Sequence, residues 1–81
     1  MQGERLANRL KVLRAEKDLT QQALAELIGT TRKSINAIEM ERMVPSTLLA
    51  LKLARALDTS VEKLFHLAEP HHKREHRQVA R

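Results

Sequence analysis

Apolar residues recur along the chain at steps of three and four, the spacing that puts side chains on one face of an α-helix. Leu6, Leu10 and Leu13 begin the series. It continues with Leu24, Leu27 and Ile28, then Ile35 and Ile38, then Leu49, Leu53 and Leu57, and ends with Val61, Leu64, Phe65 and Leu67. Charged and amide residues fill the positions between, so each run reads as an amphipathic helix with one buried stripe. The boundaries are chemically marked. Thr20, Thr31, Ser46 and Ser60 stand just ahead of the later runs, where a hydroxyl can accept a hydrogen bond from a backbone N–H that lacks an intrahelical partner. Gly29 falls where the second run must stop, since a residue without Cβ enters the left-handed cap conformation at no steric cost. Pro45 disfavours helical geometry in Val44. The pattern predicts an all-α, compact five-helix fold with helices over about Glu4 to Lys17, Gln21 to Ile28, Thr31 to Met40, Ser46 to Leu57 and Ser60 to Leu67.

Between the second and third runs only Gly29 and Thr30 intervene, and Ala25 supplies a small side chain where two steeply crossing helices come closest. That arrangement is a helix-turn-helix. The first turn of its second helix carries Arg32 and Lys33, two cations at a helix end whose dipole favours anions. Such a placement is tolerated when an anion docks there, and the face completed by Ser34, Asn36 and Ala37 is polar or small enough to enter a DNA major groove. Arg32, Lys33, Ser34, Asn36 and Ala37 are therefore the candidate base readers. Gln21 and Gln22 open the preceding helix, where an amide can donate to a phosphate beside backbone N–H groups that point the same way. Thr31 and Arg42 complete the candidate phosphate contacts.

At these residues the sequence resembles the Cro and lambda-repressor type of helix-turn-helix, the xenobiotic-response-element family, and in particular its short, single-domain bacterial members. The matching positions are Leu13-Arg14, Thr20-Gln21, Leu24-Ala25, Ile28-Gly29-Thr30-Thr31-Arg32, Ser34-Ile35, Ile38-Glu39, Pro45-Ser46, Leu53-Ala54 and Leu57. The resemblance spans about Arg5 to Leu67. It implies a lambda-repressor-like domain whose third helix reads DNA, with Gln21 against a phosphate and an Arg14–Glu39 ion pair beneath the recognition helix. It also implies a transcriptional regulator that represses by occupying an operator. Met40-Glu41-Arg42-Met43-Val44 departs from the pattern, which usually has Asn with Gly or Lys after the recognition helix.

With 81 residues the chain makes one domain, expected over residues 1–68, followed by a basic tail over residues 69–81. Fifteen Lys and Arg against ten Asp and Glu give a net charge of +5. Much of the surplus lies past Pro70, where Lys73, Arg74, Arg77 and Arg81 face Glu75 alone, so bulk charge supports a polyanionic partner less than the position of Arg32 and Lys33 does. No Cys is present, which excludes disulfides and thiolate metal sites. His71, His72 and His76 sit in the tail without Cys or Asp nearby, and neither a metal nor any cofactor is expected. A single aromatic residue, Phe65, argues against stacking platforms for single-stranded nucleic acid. Gly-rich phosphate loops, H-E-x-x-H and G-x-S-x-G are absent, so no enzymatic activity is expected. The longest apolar stretch is interrupted by Lys52 and Arg55 and no leader pattern opens the chain, which reads as a cytoplasmic protein.

The fourth helix is more apolar than one buried face requires. Leu49, Leu53 and Leu57 fill the inward stripe, leaving Met43, Val44, Leu48, Leu51 and Leu67 as candidates for a homodimer interface. The rival reading is an antitoxin-like protein-interaction module that also binds DNA, its protein partner held by the tail or the fourth helix.

Overall fold

The computed structural model describes residues 4–68. Five helices form in order: α1 (Leu10–Glu16), α2 (Gln21–Ile28), α3 (Arg32–Glu39), α4 (Thr47–Ala56) and α5 (Val61–Leu64). Two short strands flank them, β1 (Arg5–Asn8) before α1 and β2 (Phe65–Ala68) after α5. The strands pair antiparallel, Arg5 opposite Ala68, Leu6 opposite Leu67, Ala7 opposite His66 and Asn8 opposite Phe65.

The strands correct the sequence reading at both ends. The first helix, expected from Glu4, starts only at Leu10, because Asn8 offers the backbone another arrangement. Its Oδ1 accepts from the Leu10 N–H at 3.0 Å, and its Nδ2 donates to the Ile38 carbonyl at 2.9 Å, near the end of α3. A short polar side chain that bonds the backbone two residues on competes with the helix and stops it extending backwards. Residues before Asn8 are left extended, and the Arg9 N–H continues the ladder to the Leu64 carbonyl at 2.9 Å. The fifth helix, expected to reach Leu67, stops at Leu64, where Phe65 turns to φ −119°, ψ 146°. Leu6 still packs on the core, but from a strand.

Leu10, Leu24, Ile35, Ile38, Leu53 and Leu64 are fully buried and come from all five helices. Ala25 is buried with them, where α2 meets α3. Leu27, expected inside with Leu24 and Ile28, is exposed. At about 100° per residue the buried stripe centres on Leu24, Ala25 and Ile28, which leaves Leu27 well off its axis. No polar or charged residue is fully buried among the described residues, and no buried side-chain nitrogen or oxygen there lacks a hydrogen bond.

Candidate nucleic-acid interface

Local chemistry fixes the turn between α2 and α3. Thr20 accepts from the Ala23 N–H at 2.9 Å and Thr31 from the Ser34 N–H at 3.1 Å, so both helices start on a hydroxyl cap. Gly29 closes α2 at φ +78°, and the Thr30 N–H returns to the Ala25 carbonyl at 2.9 Å. Ser46 and Ser60 cap α4 and α5 in the same way. Ile35 and Ile38 anchor α3 in the core, which turns its opposite side outward. Arg32 and Lys33 are exposed at its N-terminal end, while Ser34, Asn36 and Ala37 are half-buried along it. A positively charged, small-residue face is thus presented on a rigid helix, the shape a major groove accommodates.

Beneath that face lies a polar relay across three helices. Arg14 of α1 donates through Nε to Glu39 Oε2 at 2.8 Å and through Nη2 to Oε1 at 3.3 Å, and its Nη1 donates to the Leu19 carbonyl at 2.8 Å. The two side chains are only 15% and 6% exposed. Gln21, at the start of α2, donates through Nε2 to Glu39 Oε1 at 3.0 Å and to Asn36 Oδ1 at 3.2 Å. Both amide protons of Gln21 are therefore engaged inside the fold. Gln22 is exposed and donates to Glu26 at 2.8 Å.

After α3 the chain turns sharply. The Glu41 N–H bonds the Ile38 carbonyl at 3.0 Å and the Arg42 N–H bonds the Ala37 carbonyl at 2.8 Å, with Glu41 in the left-handed region at φ +63°. A glutamate thus takes the left-handed position in the segment that departs from the family pattern of Asn with Gly or Lys. Its carboxylate accepts from Arg5 Nε of β1 at 2.9 Å. Arg42 is exposed on the loop that follows.

Sequence reasoning missed Asn8, Arg5 and Glu41. Asn8 carried a usable signal, since Asn is favoured just ahead of helices. The Arg5–Glu41 contact spans 36 residues and has no local signature.

A second surface is apolar. Val44, Leu48, Leu51 and Leu67 are exposed, Val44 to 72%, whereas Met43 is half-buried against the core. Beside Leu51 opens a cavity of about 300 Å³, floored by Leu6, Ala50, Val61 and Phe65 and edged by Pro45. The His71, His72 and His76 cluster and the basic tail lie outside the described residues. Among the described residues no group of three or more His, Cys, Asp or Glu could hold a metal, and no helix is long and apolar enough to cross a membrane.

Comparison with known proteins agrees with this geometry. A helix-turn-helix family model matches residues 10–64. The uncharacterised HTH-type transcriptional regulator YgzD of Bacillus subtilis is 42% identical over 64 residues, 79% of this chain and 97% of that one. An uncharacterised HTH-type transcriptional regulator of Methanothermobacter thermautotrophicus is 47% identical over 57 residues, 69% of this chain and 83% of that one. The solved restriction-modification controller protein C.AhdI from Aeromonas hydrophila superposes with a TM-score of 0.66 at 40% identity, over 70% of this chain and 83% of its own. With its capped helices, glycine turn and outward-facing α3, the chain belongs to the Cro/C1-type helix-turn-helix family of DNA-binding transcriptional regulators, and is not an enzyme.

Proposed function

We propose that the protein is a cytoplasmic, sequence-specific repressor that lays α3 in the DNA major groove and acts as a homodimer on an inverted-repeat operator. The observation that carries this reading is the outward face of α3, where Arg32 and Lys33 stand at the helix N-terminus and a polar relay holds the helix from behind. Arg32 and Lys33 read base edges, guanine foremost, because a cationic side chain matches its O6 and N7 acceptors. Ser34, Asn36 and Ala37 meet the same groove. Thr31, Gln22, the backbone at Gln21 and the Arg42 guanidinium dock on phosphates and fix the register. Repression by occupancy of the operator is what the resemblance to the Cro and lambda-repressor type implies.

Homodimerisation is supported by the exposed Val44, Leu48, Leu51 and Leu67. One recognition helix reads only a few base pairs, and a twofold partner presents a second about 34 Å away. The protein-interaction rival draws on the same apolar face, with an unrelated partner in place of a second copy. Selection of bound sequences from random duplexes, followed by salt-titrated binding, tests the proposal. Arg32→Ala and Lys33→Ala should each cost about 1 to 3 kcal/mol on the selected site and relax one position. Arg42→Ala should weaken all sequences alike and lower the logarithmic salt slope by about one. A parent protein that selects no sequence, or an Arg32→Ala, Lys33→Ala double variant that selects the parent's site, would overturn it.

A further inference from the structure

We infer that Gln21 decides which end of the Asn36 amide faces DNA, so that Asn36 meets the base edge as a hydrogen-bond donor only. The inference rests on the reading of α3 as the groove-facing helix and adds a preference at one base position. An asparagine carries an acceptor oxygen and a donor nitrogen at opposite ends of one amide, and its favoured partner, adenine, needs both, the oxygen accepting from N6 and the nitrogen donating to N7. Here Asn36 Oδ1 accepts from Gln21 Nε2 at 3.2 Å, which turns the oxygen toward α2 and the NH2 group away from it.

Gln21 has no freedom to reverse. The same Nε2 donates to Glu39 Oε1 at 3.0 Å, and a flipped amide would set its carbonyl oxygen against that carboxylate, two acceptors with no proton between them. Glu39 in turn is held through both oxygens by the Arg14 guanidinium, at 2.8 and 3.3 Å, in a nearly buried pair. The orientation thus passes from a nearly buried ion pair, through Gln21, to a half-buried side chain on the outward-turned helix. Gln21 is a positioning residue, and Asn36 is the group that touches the base.

Guanine offers two acceptors, O6 and N7, thymine offers O4, and adenine offers N7 alone beside an N6 donor with no oxygen to receive it, so a donor-only amide fits the keto bases best. It is rejected by cytosine, whose major-groove edge offers a donor, and it cannot form the two-bond pattern that singles out adenine. The preference at this position is therefore for a keto base on the contacted strand.

The test is binding-site selection with the parent, Asn36→Ala and Gln21→Met. Asn36→Ala locates the position by losing its preference. There the parent should select guanine or thymine, and Gln21→Met, which keeps the side-chain length but removes the amide, should admit adenine, raising affinity for the adenine-containing site about fivefold or more relative to the parent. Adenine dominating with the parent, an unchanged profile for Gln21→Met, or an Asn36→Ala that weakens every sequence equally or not at all would each overturn the inference. Should Gln21→Met fail to fold, modified DNA decides with the parent protein. Replacing the selected guanine by 7-deazaguanine and, separately, by 6-thioguanine, which weaken N7 and O6 in turn, or a selected thymine by the poorer acceptor 4-thiothymine, should with at least one analogue weaken binding of the parent but not of Asn36→Ala; equal loss for both proteins, or loss for neither with every analogue, counts against it. Failure of the parent to select any sequence is a different result, and bears on DNA reading as a whole.

Discussion

Among the described residues, three other than glycine hold a positive φ, each just beyond a helix end: Asp18 at +56°, Asp58 at +56° and Glu41 at +63°. Aspartate tolerates the left-handed region because its short side chain bonds the nearby backbone, whereas glutamate is one methylene too long to do so as readily. Glu41 instead spends its carboxylate on Arg5, a contact largely open to solvent. The left-handed penalty for an L-residue is roughly 1 to 2 kcal/mol and an exposed ion pair returns about 0 to 1 kcal/mol. Glu41→Gly should therefore raise stability by up to about 1 kcal/mol, part of the gain being offset by the greater freedom of glycine in the unfolded chain. Urea unfolding measures this directly, and a lower midpoint would show that Arg5 holds Glu41 more firmly than solvent exposure allows.

Between elements, the Arg14, Glu39 and Gln21 relay sets how α3 sits on α1 and α2. Nearly buried charges are costly to orphan. Arg14→Ala or Glu39→Ala should each cost on the order of 3 to 5 kcal/mol, while Arg14→Met with Glu39→Leu should be far milder, because no uncompensated charge stays in the interior. Single variants as stable as the parent in chemical denaturation would mean that water reaches the pair. The starts of α2 to α5 and the stop of α2 were legible in the sequence because caps act over three or four residues: Thr20, Thr31, Gly29, Ser46 and Ser60 each do their work locally. β1 and β2 were not, because each is four residues long and its partner lies at the far end of the domain. Leu6 misled for a physical reason, since a strand residue and a helix residue can both reach the core at that spacing. Exposure of Arg32 and Lys33 followed from periodicity, yet the engagement of Gln21 with Asn36 depends on how two helices cross, which no local pattern encodes.

Across the whole molecule, the basic end of α3 and the apolar surface of Val44, Leu48, Leu51 and Leu67 suit different partners, a polyanion and a nonpolar protein face. Glutamates introduced into the second should separate the two functions. Leu48→Glu with Leu51→Glu should leave the fold intact, because both side chains are already exposed, but yield a monomer in sedimentation with weakened binding to the full inverted repeat. A parent that sediments as a monomer at high concentration and binds one per non-palindromic site would remove the homodimer from the proposal. The pairing of β1 with β2 bears on how such a chain is made on a ribosome. Arg5 leaves the exit tunnel long before Ala68, so the first strand must wait, unpaired, through the synthesis of every helix. Because Ala68 follows all five helices in the chain, the sheet that joins the two ends of the domain can form only after every helix has been made, like a clasp fastened once its contents are in place.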